Sequence, residues 1–426
     1  MRAETVEVLK LSLHGETVGY LAGYQSGRNI FVFDQRYTEA LDRPTLTLTT
    51  MPSFPNATKT LGRPWITQQQ LHPLFSNLLP EGAYREYLAQ TLKVHPNNEF
   101  PLFRQLSQDL PGALVAGPLA PEQVPAGLLL HRDSVQPVLK PWTPARTHFS
   151  LAGVQMKFSM KHRDGRYLLP VSSTLGDGQE LGDWIIKTPS TRHPWVPLNE
   201  YTAMQLARLA GVEIPEIRLV PLADLEGLPP INLPQETYAF AIRRFDRSEQ
   251  QRIHTEDFAQ ILFKYPHEKY SSANYEQLGR ILYRFTGRGL VNVQQLARRL
   301  LVNLLLANGD AHLKNWTLHY PDRQTPELAP AYDILTTKAY IADEQEASLN
   351  LGGTKLWYEI GWAHFEAWSK QVGVPWRAIL PHLEDVLDKA RTLWPQALEE
   401  SPMAPEHKGI LKQHWQALRA DFQIQV

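Results

Sequence analysis

Asp310, His312, Lys314 and Asn315 fall within six consecutive positions of the stretch Asn303-Leu-Leu-Leu-Ala-Asn-Gly-Asp-Ala-His-Leu-Lys-Asn-Trp-Thr-Leu. A carboxylate in such a place can orient or accept a hydroxyl proton, and an amide oxygen nearby can ligate a hard divalent cation. Asp333, in Ala331-Tyr-Asp-Ile334, offers a second carboxylate for the same cation. A proton acceptor beside two oxygen ligands suits chemistry at a phosphate group. An isolated Asp-x-x-x-x-Asn also fits a plain turn that ends a helix, with both side chains capping neighbouring backbone groups.

The elements around these residues favour the first reading. An apolar run from Leu296 to Leu306 predicts a helix, Asn308-Gly309 reads as its C-terminal cap, and Trp316 to Tyr320 reads as a strand. The polar loop is thus held between two regular elements, a common setting for catalysis. The five-residue step from Asp310 to Asn315 resembles the protein-kinase catalytic loop, with Asp333 where a kinase places its second metal-binding aspartate. Upstream, Trp184-Ile-Ile-Lys187-Thr-Pro189 predicts a short strand ending on a lysine. A helix follows from Asn199-Glu200 to Gly211, an order that matches the kinase lysine and its glutamate partner. The alternative is a surface lysine and a glutamate that favours a helix N-terminus. Strands are expected at Glu213 to Val220 and Tyr238 to Asp246, the second closing on Arg244-Phe245-Asp246-Arg247, whose backbone can face an adenine edge. Between Thr147 and Met160, a serine, a glycine, an amide and a lysine can form a phosphate-covering loop. It is not a Walker A sequence, and Gly176-Asp-Gly-Gln-Glu-Leu-Gly182 fits a hairpin turn better than a nucleotide loop.

The chain has 426 residues, enough for two or three domains. Lys plus Arg number 43 against 44 Asp plus Glu, a balance that gives no overall pull toward nucleic acid or anionic membrane. There are no cysteines, which excludes disulfides and thiolate metal sites and fits a cytoplasmic location. The charged N-terminus is not a signal peptide, and no apolar stretch approaches the ~20 residues of a membrane span. Alternating apolar residues from Val6 to Phe33 predict a small antiparallel sheet. Helices are expected at Ala83 to Leu92 and Phe100 to Leu110, with a turn and strand over Pro111 to Gly117. Beyond Asp257 the period turns helical: Asp257 to Phe263, Tyr275 to Phe285, Val293 to Leu306, Ala363 to Val372, Trp376 to Leu393 and His407 to Phe422. The expected architecture is α+β: a two-lobed, protein-kinase-like fold with a strand-rich N-terminal part and an all-helical C-terminal lobe. Expected boundaries are an N-terminal subdomain over 1–120, a proline-rich connection over 121–145, an ATP-binding lobe over 146–250 and a catalytic lobe over 251–426.

Taken together, Phe75-Ser-Asn-Leu-Leu-Pro-Glu-Gly82, Ser150-Leu-Ala-Gly-Val-Gln-Met-Lys157, Ile185-Ile-Lys-Thr-Pro189, Asn199-Glu-Tyr201, Arg244-Phe-Asp-Arg247, the Asp310 loop and Tyr332-Asp-Ile334 resemble the HipA family of bacterial serine/threonine kinase toxins. The resemblance implies Asp310 as the catalytic aspartate, and Asn315 and Asp333 as magnesium ligands. It implies that Lys187 contacts ATP phosphates, paired with Glu200, and that a loop from Leu151 to Lys157, with Gly153, Val154, Gln155 and Lys157, covers them. Arg244, Phe245, Asp246, His312 and Lys314 would complete the ATP site, and Ser150 would be the serine whose autophosphorylation switches the kinase off. The implied partners are a HipB-like helix-turn-helix antitoxin, operator DNA reached mainly through it, and a protein substrate, glutamyl-tRNA synthetase in the family example. Met156 and Arg243 depart from the family, which commonly has glutamate at both places. Two further readings are a small-molecule kinase of the same fold and a non-catalytic co-repressor that bridges antitoxin on DNA.

Overall fold

The computed structural model describes residues 2–119, 121–125, 128, 135–140, 156–170, 181–228, 232–248, 251–271 and 273–425. Its contacts divide the chain into two units: Met1–Leu151 with Asp246–Glu268 and Leu318–Pro326, and Ala152–Phe245 with Lys269–Thr317 and Glu327–Val426.

The first unit is built on the expected antiparallel start. Strands Arg2–Leu13, Glu16–Tyr24 and Arg28–Phe33 are joined by short turns, and Trp65–Gln68 and Leu114–Pro118 extend the sheet on either side. Val135–Leu139 adds a parallel pairing to Arg2–Val6. His14 and Gly15 both take positive φ, 53° and 86°, the two-residue turn whose twist matches a right-handed hairpin. Period-two alternation sends Leu9, Leu11 and Leu13 to one face, packed with Phe75, Leu88 and Phe103. Val6 and Val8 face the other side with Ala22, Ile30 and Leu128.

The Phe75-Ser-Asn77 motif has an architectural role here. Ser76 Oγ donates to the buried Glu99 carboxylate at 2.9 Å, which also accepts from Leu71 N and Arg85. Asn77 Nδ2 donates to the carbonyls of Pro73 and Lys264, at 2.8 and 2.7 Å. The motif therefore joins the N-terminal subdomain to the later 246–268 segment.

In the second unit the strand order is Ile217–Pro221, Tyr238–Arg243, Trp184–Lys187, Lys157–Arg163, Arg166–Leu168 and Leu225–Glu226. The helix Val196–Leu209 follows the lysine-bearing strand, and Gly211, at φ 82°, ends it as expected. The larger helices are Tyr275–Phe285, Gly289–Leu305, Trp362–Val372, Leu380–Glu400 and Pro405–Ala417. Three buried tryptophans tie them together through indole N–H groups: Trp368 to Tyr275 O, Trp394 to Leu206 O and Trp415 to Leu305 O, at 3.0, 2.9 and 2.8 Å. Leu305 lies in a last turn, where helix carbonyls lack intrahelical donors, so the Trp415 indole supplies a bond there while burying its ring; the Leu206 carbonyl accepts from the Ala210 N–H as well as from Trp394.

The mixed α+β class stands, but the C-terminal part is not all-helical. It also carries the strand Thr317–Tyr320 and the hairpin Glu346–Leu351 with Thr354–Leu356. The hairpin follows the helical pattern poorly because only Ser348, Leu349 and Leu351 of its first strand are buried, too few to give a clear period in sequence.

Candidate active site

Two neighbouring strands bring two lysines together. Lys157 opens one strand and Lys187 closes the next, and the antiparallel register sets them opposite each other. Like charges in that position repel unless counter-charge is supplied. Glu200, in the first turns of the following helix, and Asp333 supply it. The Lys187 ammonium donates to Glu200 Oε1 and to Asp333 Oδ1, and Lys157 Nζ lies 3.2 Å from Asp333 Oδ2. The Lys187 and Glu200 side chains are 5% and 1% exposed, whereas Lys157 is 53% exposed, so the pair is sealed on one side and open on the other.

The electrostatics follow from that arrangement. Burial disfavours charge on Lys187, but Asp333 and Glu200 outweigh it and push its pKa up to about 12. Burial pushes Glu200 up to about 7, with Lys187 pulling the other way. For Asp333 burial is again opposed by Lys157 and Lys187, and here the two ammoniums win, holding it well below the usual carboxylate range. Lys187 and Asp333 therefore both carry charge at neutral pH. Asp333 takes φ 53°, a left-handed conformation that a non-glycine residue adopts at a cost of about 1–3 kcal/mol and that the surrounding bonds must sustain. Asn199 helps to do so, pairing both amide atoms with the Thr336 backbone at 3.2 and 2.9 Å.

The Asp310 loop starts where the Gly289–Leu305 helix is clamped by Trp415 and by His414 Nε2, 2.8 Å from Leu304 O. The cap differs from expectation: the left-handed residue is Ala307, at φ 51°, and not Gly309. Gly309 serves a different purpose, because a Cβ there would stand 2.1 Å from the Glu344 carboxylate. After the cap, Asn315 Nδ2 donates to Asp310 O at 2.8 Å, closing the loop over the short helical turn Leu313–Asn315. The Asp310 carboxylate is half exposed; the Tyr270 hydroxyl donates to its Oδ1, and His312 Nε2 is 3.9 Å from the same oxygen. His312 itself is buried, with its ring set edge-on to Tyr270. Lys314 contributes its carbonyl to the Tyr332 hydroxyl at 2.7 Å.

Asn315 and Asp333 line one small cavity, together with Arg299, Asn303 and Asn308. The Asn315 bond to the loop uses its amide nitrogen, so its oxygen is the atom left to face a cation. Among the described residues no cluster of three or more His, Asp or Glu side chains could cage a metal by itself. One carboxylate and one amide oxygen do fit magnesium, which keeps several waters and is commonly held jointly with substrate phosphates.

The remaining expected residues divide in two. Arg244 Nη1 donates to Ser159 Oγ at 2.8 Å, and the Phe245 ring lies 5.6 Å from that of Tyr332. Asp246 belongs to the first unit, where it accepts from Gly112 N at 2.8 Å and from Arg247. Arg243 reaches Glu216, just before the neighbouring strand Ile217–Pro221, 3.7 Å away, so its departure from the family has a local counter-charge. Met156 is buried and bonded through its backbone to Thr188. Ser150, Leu151, Gly153, Val154 and Gln155 lie outside the described residues, as do most of the glycine-rich stretch before Gly182 and the segment 141–145. Sequence reading missed Tyr270 and Asn308. The first lies far from the loop in sequence, and the second was absorbed into a capping signal.

Comparison with known proteins identifies the family. Residues 149–394 match the family model of the HipA-like C-terminal domain, and residues 9–117 match that of the HipA N-terminal domain. Y4dM of Sinorhizobium fredii, classed as a kinase by name alone, is 37% identical over 96% of both chains. The serine/threonine-protein kinase toxin HipA of Shewanella oneidensis is 23% identical over 78% of both. A solved Shewanella oneidensis complex of HipA, HipB and operator DNA contains a chain that superposes with a TM-score of 0.68 at 20% identity, covering 96% of this chain and 95% of that one. The fold is thus the mixed α+β, kinase-like fold of that structure, and the chain belongs to the HipA family.

Proposed function

We propose that the protein is an ATP- and Mg²⁺-dependent protein serine/threonine kinase that acts as the toxin of a HipA/HipB-type module. The observation that carries this reading is the buried Lys187, held by Glu200 and Asp333, with Asp333 sharing a cavity wall with Asn315. Asp310 is the group that orients the acceptor hydroxyl and takes up its proton, and its half-exposed carboxylate is accessible to one. Lys187 binds the ATP phosphates, while Arg244, Phe245, His312 and Lys314 shape the rest of the nucleotide site. Asn315 and Asp333 hold magnesium, which when bound neutralises charge on the transferring phosphoryl group. Catalysis of this type rests on positioning and electrostatics.

The segment 146–250 is the ATP-binding lobe and 251–426 the catalytic lobe, with 1–120 as the N-terminal subdomain and 121–145 as the connection. The loop carrying Gly153, Val154, Gln155 and Lys157 covers the phosphates, and phosphorylation of Ser150 adds about two negative charges beside them, which disfavours ATP and switches the enzyme off. The protein partner is a HipB-like helix-turn-helix antitoxin, and operator DNA is met mainly through it. The net charge of -1 supplies no drive of its own toward DNA. The cellular target is an aminoacyl-tRNA synthetase, glutamyl-tRNA synthetase by family analogy, whose modification in the cytoplasm blocks translation and promotes dormancy.

The test is incubation with Mg²⁺ and γ-labelled ATP in the presence of purified glutamyl-tRNA synthetase, beside an Asp310→Asn variant. Label on the synthetase that the variant fails to transfer is the expected result. Label found only on a small hydroxylated metabolite makes the protein a small-molecule kinase. Absence of any transfer, with retained binding to the antitoxin on DNA, makes it a co-repressor.

A further inference from the structure

Four hydrogen bonds run in series from the middle of the Gly289–Leu305 helix to the Asp310 loop. Asn303 Nδ2 donates to the Arg299 carbonyl at 2.8 Å, and Asn308 Nδ2 donates to Asn303 Oδ1 at 2.7 Å. The Asp310 backbone N–H donates to Asn308 Oδ1 at 3.0 Å, and the Asp310 carbonyl then accepts from Asn315 Nδ2 at 2.8 Å. Both relay amides are buried, Asn303 at 8% and Asn308 at 2% exposure. Each uses nitrogen as donor and oxygen as acceptor, so the direction of the chain is set at both links.

The same helical turn also holds the other side of the site. The Arg299 guanidinium, 3% exposed, donates through Nη1 to Ala329 O at 2.7 Å, four residues before Asp333. Among the described residues its Nε and Nη2 have no hydrogen-bond partner, and Arg299, Asn303, Asn308, Asn315 and Asp333 all line one cavity. One turn of one helix therefore anchors both the segment with Asp310 and Asn315 and the segment leading to Asp333. Burying three such polar side chains is costly unless the bonds are made, which is a large investment for a cap that Ala307 has already provided.

We propose that Asn303 and Asn308 are positioning residues, rooted on the Arg299 turn, which hold the Asp310 backbone in register with Asp333. The role in catalysis rests on the kinase reading given above; the relay itself does not. Asn308 deletes the link directly at Asp310, and Asn303 deletes it one step further away. A merely space-filling pair of amides would leave the Asp310 amide and the reaction rate alone once stability is matched.

The experiment compares wild type, Asn308→Ala, Asn308→Asp and Asn303→Leu in the full chain. Amide hydrogen exchange at Asp310 is followed without nucleotide, beside melting temperature and the kcat and KM for ATP. Asn308→Ala is expected to speed Asp310 exchange by about tenfold or more and to lower kcat about 10- to 100-fold, as small misplacements of a reacting group do, with KM within about twofold. Asn308→Asp keeps an acceptor for the Asp310 N–H and is expected to recover the protection. Asn303→Leu is expected to give a smaller change in the same direction. Unchanged Asp310 exchange in Asn308→Ala overturns the relay, whatever the melting temperature does. Faster exchange in a protein whose wild type transfers no phosphate to itself or to any acceptor retains the relay and overturns the kinase reading.

Discussion

Among the described residues each unit buries one carboxylate that burial pushes up to about 7, and the two are handled in opposite ways. In the second unit Glu200 meets a cation, Lys187, which Asp333 holds from the other side. In the first unit Glu256 meets no cation among the described residues. Its carboxylate accepts from Leu48 N at 2.6 Å and from the Tyr320 hydroxyl, beneath the ring of His254 stacked 5.5 Å from that of Tyr320. Burial raises Glu256, and the bonds from Tyr320, Thr47 and Leu48 only partly resist. The contrast separates a cluster with cations, suited to phosphate and metal, from a joint of neutral hydrogen-bond donors between distant parts of the chain. Burial of an acid alone does not mark a catalytic site; the company it keeps does.

The largest expected effect comes from taking the cation out of the first arrangement. Lys187→Met leaves Glu200 and Asp333 facing each other, which is expected to lower unfolding free energy by about 3–5 kcal/mol and phosphoryl transfer by about 10²- to 10³-fold. Chemical denaturation and a transfer assay read the two losses, and a variant as stable and active as wild type would remove the distinction between the clusters.

Glu256→Gln should behave in the opposite sense. A carboxyl whose folded pKa is raised contributes stability that is complete below its unfolded pKa, near 4.5, and is lost as pH rises through about 7. Glutamine imitates the protonated form at every pH. The stability of the variant relative to wild type is therefore expected to grow from near zero at pH 4 to on the order of 2–3 kcal/mol at pH 9, measured by denaturant titration. A difference that is flat with pH contradicts the neutral-joint assignment. Tyr270→Phe is expected to matter least: the phenol is 46% exposed, and loss of its bond to Asp310 should change kcat by less than about fivefold. A hundredfold loss would move Tyr270 into the reacting machinery.

How far these arrangements could be read in advance depended on how local they are. The strand ending at Lys187, the helix bearing Glu200 and the Asp310 loop all rest on short-range signals, and the structure places them as expected. The attachment of both Lys157 and Lys187 to Asp333 is different, because it depends on cross-strand register and on a segment more than a hundred residues away. The Asn308 relay was hidden by an overlapping signal, since Asn-Gly after an apolar helix is also a generic terminator. Here the cap fell on Ala307, where the bonds of His414 and Trp415 to the helix end govern the backbone more than glycine's freedom does. Likewise Glu256 gave no warning in sequence, because nothing within its own strand names Leu48 or Tyr320 as partners.

The central claim, that the charged cluster and the Asp310 loop together transfer phosphate, is tested most directly by intact mass. The purified protein is incubated with Mg-ATP beside Asp310→Asn, and the modified residue is located by peptide mapping. One added phosphate, on Ser150, is expected in wild type and is expected to be missing from the variant. An unmodified wild type that also labels no added acceptor, or an Asp310→Asn variant phosphorylated to the same extent, would contradict it.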